Sequence, residues 1–241
     1  MLIRKCNPSL LSDLKLFKNK NYVLFTPKKL GIVNNEISRM NFLQSYNNLA
    51  IDLKNKDGFP IRLRRYANYN VVINDNNFEI FYTGKNTFKQ NVPDSRRNIR
   101  KFELIEDKFI RDNFILNLIE KSTILTILNS ENKINKLDIS LHQIRQICYP
   151  HVDSHNSPEG IHRDGADFII SALVMNRSNI EGGESIIYDK DKNILFQKIL
   201  YPKEGIFQED KILMHYVTPI QSKGEYIGYR DILGLDIKKI S

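Results

Sequence analysis

A chain of 241 residues with 41% hydrophobic content, mean hydropathy −0.40 and net charge +8 is long enough to bury a real core and polar enough to fold in water. No run approaches the roughly 18–20 apolar residues that span a bilayer, and the N-terminus MLIRKCNPSL lacks the apolar stretch and cleavage site of a secretory signal, so a cytoplasmic location is expected. Cys6 and Cys148 are far apart and without metal-type spacing, which argues against a disulfide framework or a zinc knuckle.

Along the chain, Leu10, Leu11, Leu14 and Phe17 recur at helical spacing behind the capping candidates Asn7 and Ser9. Residues 22–25 read as a strand and 34–50 as a weaker helix. The β-branched and aromatic stretches 62–73 and 78–82 flank the turn-rich NDNN and predict a hairpin. Residues 102–128 form the best helical stretch, with Phe109, Phe114, Ile115 and Leu118 on one side. This first half is basic: residues 1–130 hold 22 Lys/Arg against 12 Asp/Glu. The clusters Arg62/Arg64/Arg65 and Arg96/Arg97/Arg100/Lys101 are short and carry no nucleic-acid motif, so they read as solvated faces and a nucleic-acid partner is disfavoured.

From about Asp138 the period changes. Strand-length apolar runs at 139–148, 167–175, 184–188, 194–200, 211–217 and 229–237 are separated by turn signals, with Gly182-Gly183 read as a hairpin turn. Short strands without intervening helices predict an antiparallel sandwich or barrel. The expected class is α+β, mainly β, in one domain over 1–241: a mixed helix and strand flank to residue 130 and a barrel core over 138–238. Nothing in the pattern sets an oligomeric state.

In EGIHRDGADF (159–168), His162 and Asp164 stand two residues apart. In extended chain such side chains share a side, with Cα atoms roughly 6.6 Å apart, so both can reach one ion. His215, in the strand-like KILMHYV, is the candidate third ligand. Two histidines and one carboxylate with open positions suit non-haem Fe(II), and zinc would accept them too. In GYRDILGLDI, alternation puts Asp231, Leu233, Leu235 and Ile237 on one face and Arg230, Ile232, Gly234 and Asp236 on the other. With the apolar set packed outward on helices, Arg230 points into the barrel, where its guanidinium requires an anion such as a dicarboxylate cosubstrate.

These segments, with LHQIR (141–145), MNRSNIEGGES (175–185), HYVTPI (215–220) and a fainter echo in RLRRYANY (62–69), resemble the bacterial 2-oxoglutarate- and Fe(II)-dependent dioxygenases of the L-isoleucine hydroxylase type. The resemblance implies a double-stranded β-helix (jelly-roll, cupin-like) fold and Fe(II), 2-oxoglutarate and O2 as cofactors. It implies iron ligands at His162, Asp164 and His215, and Arg230, helped by Thr218, on the distal 2-oxoglutarate carboxylate. The substrate it implies is a free L-amino acid, with release of succinate and CO2. Halogenating relatives lack the metal carboxylate, so Asp164 points to hydroxylation.

The remaining candidates are weaker. On the LHQIRQI strand, Leu141, Gln143, Arg145 and Ile147 share a face. If that face lines the barrel, Arg145 binds the substrate carboxylate beside the metal, with Gln143 next to it. The alternative is pairing with an internal aspartate or exposure to solvent. His142, on the opposite face, reads as a packed structural histidine, and His151 and His155 as loop residues. Glu159 is a solvated loop carboxylate or a contact for an ammonium group; Asn176 and Arg177 are turn groups or substrate contacts. The rival classes are a zinc hydrolase or isomerase on a related barrel and a basic nucleic-acid-binding module. Arg230 argues against the first, having a role only where an acid is bound.

Overall fold

A computed structural model describes residues 17–32, 36–74, 77–89, 99–155 and 159–240. Its strands are β1 (Tyr22–Phe25), β2 (Ala50–Lys54), β3 (Pro60–Asn74), β4 (Asn77–Tyr82), β5 (Thr87–Lys89), β6 (Ile99–Lys101), β7 (Lys136–Cys148), β8 (Phe168–Ser178), β9 (Ile180–Gly182), β10 (Glu184–Tyr188), β11 (Ile194–Ile199), β12 (Gly205–Glu209), β13 (Met214–Val217), β14 (Ile220–Ser222) and β15 (Gly228–Ile240). The helices are α1 (Glu36–Gln44), α2 (Asp107–Ile110) and α3 (Asn113–Leu128). The helix read at 10–17 lies outside the described residues, apart from a helical turn at 17–20.

The large antiparallel sheet runs β1-β12-β8-β15-β7-β3-β2, with β4 also on β3; a smaller sheet, β11-β10-β13, faces it. Side-chain alternation explains why they stack. Leu141 of β7 and Leu233, Leu235 and Ile237 of β15 pack outward in one core with Phe114, Ile115 and Leu118 of α3. On the inward face, Ile144, Ala172, Val174, Ile206 and Ile232 of the large sheet meet Ile187 of β10. A sheet buried on both faces, each large apolar side chain contributing about 1.5–3 kcal/mol, gives the double-stranded β-helix. The two faces expected for β15 are the two observed. No described helix is long and apolar enough to cross a membrane.

The helical flank covers the outer face. Asp112 caps α3 by accepting from the Phe114 amide (2.9 Å), and the same carboxylate oxygen accepts from the Ser38 hydroxyl, tying α1 to α3. Tyr46, fully buried in the 3-10 turn after α1, donates to the Ile232 carbonyl at 2.8 Å. The helix expected over 102–128 is the short α2 from Asp107 followed by α3 from Asn113; residues 103–105 instead pair with β3, the Tyr66 amide donating to the Glu103 carbonyl and the Ile105 amide to that of Tyr66. β12 falls between the runs expected at 194–200 and 211–217 and is not among the expected strands. Gly182-Gly183 is not a hairpin turn. Both glycines have positive φ at the corner where the chain leaves β9, paired with β14, for β10, paired with β11 and β13. A Cβ at Gly182 would overlap the Pro219 carbonyl oxygen.

Candidate metal centre

His162 and His215 face each other across an antiparallel bridge, each amide donating to the other's carbonyl (3.1 and 2.9 Å). This pairing sets the imidazoles side by side with centroids 4.4 Å apart. Asp164 closes the triangle, Oδ1 standing 3.5 Å from His162 Nε2 and Oδ2 3.6 Å from His215 Nε2. One ligand atom from each residue lies within 4.8 Å of the others. His162 Nδ1–H donates to the Gly160 carbonyl (2.8 Å), which aims Nε2 at the centre, where its lone pair becomes available to a metal once Nε2 loses its proton. The His215 side chain is 10% exposed and that of Asp164 27%, so the centre is closed behind and open in front. Two imidazole nitrogens and a carboxylate converging on one open point fit a divalent transition metal.

Electrostatics agree. Burial alone would raise Asp164, but the His215 and His162 imidazoles overrule it and hold its carboxyl well below the usual range. Burial opposes charge on His162 as well, yet the Asp164 hydrogen bond and charge lift it to about 9. His215, more deeply buried, falls to about 4 despite Asp164.

A residue that sequence reasoning missed holds the ligand loop. Asp210, fully buried just after β12, accepts from the backbone amides of Asp164 (3.2 Å), Gly165 (2.7 Å) and Ala166 (3.0 Å). Nothing in its local pattern separates it from its neighbour Glu209; only the long-range fold reveals the role. Burial and the Asp164 charge outweigh those amides and raise its carboxyl to about 7.

Arg230 is completely buried on the inner face of β15, in register with Arg177 of β8. It donates one long bond to Ser185 Oγ (3.5 Å), while its Nε and Nη1 have no partner. Arg177 donates to the Gly182 carbonyl (2.7 Å), and its own buried Nη1 is also unpartnered. Burial, reinforced by Arg177, presses the Arg230 guanidinium down to about 9. Among the described residues neither arginine has a carboxylate partner, which is costly for buried charge and calls for a bound anion. The Thr218 hydroxyl accepts from the Glu184 amide (2.9 Å), and the hydroxyl that Arg230 reaches is that of Ser185.

Arg145 and Gln143 are not beside the metal. Both lie on the outward face, Gln143 donating to Ser45 Oγ (2.5 Å) and Arg145 making a fork to Asp231 (2.6 and 2.8 Å) under the Tyr229 ring. The physical reason is register: Arg145 pairs with Asp231 on β15, and Asp231 shares its face with the helix-packed leucines. The inward side of β7 is that of His142, which is buried against Tyr66, Phe88 and Phe102 with Nε2 3.4 Å from Asp236. Glu159 reaches to 3.4 Å from His162 Nε2, and His151 and His155 are exposed.

The family model described as 2OG-Fe dioxygenase matches residues 43–236. L-isoleucine-4-hydroxylase of Bacillus thuringiensis is 27% identical over 216 residues, 82% of this chain and 87% of that protein. The crystal structure of IDO from Bacillus thuringiensis superposes with TM-score 0.79 at 21% identity, over 98% of this chain and 97% of that one. A bsmA homologue from Methylobium petroleophilum gives TM-score 0.81 at 20% identity, over 95% and 92%. These structural likenesses show a shared fold.

Proposed function

The chain belongs to the 2OG-Fe dioxygenases, oxidoreductases that use Fe(II), 2-oxoglutarate and O2, and from that premise we propose that it hydroxylates a free L-amino acid with an aliphatic or thioether side chain. The carrying observation is the pairing of an open His162/Asp164/His215 centre with a buried guanidinium at Arg230 that has two unused donors. Iron bound there with 2-oxoglutarate and O2 would supply the oxidant for C–H hydroxylation, with succinate and CO2 as the expected co-products. The protein's own part is placement. Nε2 of each histidine and one Asp164 oxygen would hold the metal, and Asp210 ties down the Asp164 loop through three amides. Arg230, with Ser185 beside it, takes the distal carboxylate of 2-oxoglutarate in fork geometry. Ile144, Val174 and Ile232 form part of the buried apolar cluster on the inner face of the large sheet. The similarity to L-isoleucine-4-hydroxylase supports a free amino acid as the substrate class.

The test is succinate release with Fe(II), ascorbate and 2-oxoglutarate across the twenty free amino acids, followed by mass measurement of the products. One or a few aliphatic or thioether amino acids should stimulate succinate release and gain one oxygen atom. No stimulation by any free amino acid would sink the reading.

A further inference from the structure

The inner face carries a second group of guanidiniums, away from Arg230. On β3, Arg62, Arg64 and Tyr66 sit opposite Gln146, Ile144 and His142 of β7, and so point inward. Arg62 and Arg64 are therefore barrel-facing rather than solvated. Asp52 of β2 stands among them: its Oδ2 accepts from Arg62 Nε (2.7 Å), and its Oδ1 is held by Arg100. Both oxygens are thus engaged. Arg64 Nε lies 3.2 Å from Oδ2 but is buried and makes no hydrogen bond. The guanidiniums of Arg64 and Arg100 lie over the Phe102 ring at 5.0 and 4.8 Å. A cavity of about 1050 Å³ is lined in part by Asp52, Arg64, Arg100 and Phe102.

This cluster adjoins the metal centre. Phe102 packs against His142, whose Nε2 lies 3.4 Å from Asp236 Oδ2, and burial followed by the Asp164 charge raises the Asp236 carboxyl while the Arg64 guanidinium opposes the rise. Burial and the Arg62 charge press Arg64 down to about 9, a strain that a bound anion would relieve. The first acid of the reaction, 2-oxoglutarate, already has Arg230. Arg145, the other inward candidate from sequence, is consumed by Asp231 on the outer face.

We infer that Arg64, steadied by Arg62, Arg100 and Asp52, receives the carboxylate of the amino-acid substrate on the inner face beside the metal. This rests on the reading that the substrate is a free amino acid. A planar fork on a carboxylate selects acids over their neutral derivatives, and the Phe102 face holds the guanidinium plane in place. Arg64 is thereby a substrate-specificity residue.

The experiment compares wild type, Arg64→Gln and Arg64→Lys on the best amino acid of the screen and on its carboxamide. It records kcat/KM for hydroxylated product, the KM for 2-oxoglutarate, the melting temperature and the calorimetric Kd of the amino acid with Mn(II) and 2-oxoglutarate under nitrogen. Wild type should prefer acid to amide about 100-fold. Arg64→Gln should lose most of that preference, weaken the Kd for the acid by a similar factor and leave the 2-oxoglutarate KM within about twofold. Arg64→Lys, which keeps the charge without the fork, should retain part of the preference and carries the test if the glutamine variant does not fold. Wild-type turnover with an unchanged acid-to-amide preference in the variants overturns the inference alone. Absence of wild-type turnover on every free amino acid overturns the proposed function and this inference together.

Discussion

At the scale of single residues, the centre depends on groups that touch the ligands without being ligands. Asp210 accepts three consecutive amides of the loop that carries Asp164. An asparagine there keeps the size but turns one acceptor into a donor facing an amide. Asp210→Asn should lower metal affinity about 10- to 100-fold while the melting transition remains cooperative; equilibrium dialysis against Fe(II) under nitrogen reads it. An unchanged affinity would remove Asp210 from the site. Arg230 offers two buried donors to an anion, and lysine keeps the charge but loses the fork. Arg230→Lys should therefore raise the 2-oxoglutarate KM at least about tenfold while the amino-acid KM moves little. If only the amino-acid KM rose, Arg230 would belong to the other substrate. The convergence of His162, Asp164 and His215 and the inward burial of Arg230 are legible in the sequence, because ligand chemistry restricts residue type and the strand period restricts direction. Asp210 was not legible, since a carboxylate that serves backbone amides leaves no local pattern.

At the scale of elements, alternation was readable on β15 and ambiguous on β7. On β15 the leucines cluster on one face, so the arginine had to take the other. On β7 both faces are apolar enough to be buried, and only the pairing of Arg145 with Asp231 decides which is inward. Register between strands so distant in sequence is a tertiary property, which is why local pattern misplaces Arg145 and leaves Arg64, on the neighbouring strand β3, reading as a solvated residue. The run RLRRYANY does carry the alternation, with Arg62, Arg64 and Tyr66 against Leu63, Arg65 and Ala67. The corner between β9 and β10 gives a further prediction. A Cβ at Gly183 would lie 2.8 Å from Ile220 Cγ2 and 3.2 Å from Arg177 Nη1, with Arg230 Cδ at 3.6 Å, and φ is +69°. Gly183→Ala should destabilise the fold by about 1–3 kcal/mol and raise the 2-oxoglutarate KM, because the displaced side chains border the anion site. Thermal melts and cosubstrate titration check this; a destabilised variant with an unaltered 2-oxoglutarate KM would detach the corner from the anion site.

At the scale of the whole molecule, the basic character of residues 1–130 is partly turned inward, with Arg62, Arg64 and Arg100 gathered on Asp52. The metal centre has its own dependence on pH. His162 in the metal-free fold sits at about 9, above its ordinary 6.5, so its proton stabilises the fold fully below about 6.5 and that contribution fades as pH rises through 9. Metal binding must displace that proton. Affinity for a divalent metal should therefore climb by up to about tenfold per pH unit between about 7 and 9 and level off above, as measured by chelator competition. A flat profile would mean that His162 is already neutral. The central claim joins the whole arrangement, from the Asp210-braced loop to Arg230, to one coupled reaction. Its most direct measurement is the ratio of succinate formed to hydroxylated amino acid formed by wild type and by Asp164→Ala, each supplied with Fe(II), 2-oxoglutarate and O2. Wild type should give close to one succinate per hydroxylated product, and Asp164→Ala, still folded, should lose turnover by orders of magnitude. Succinate released at the same rate with or without an amino acid, or full activity in Asp164→Ala, would contradict the account.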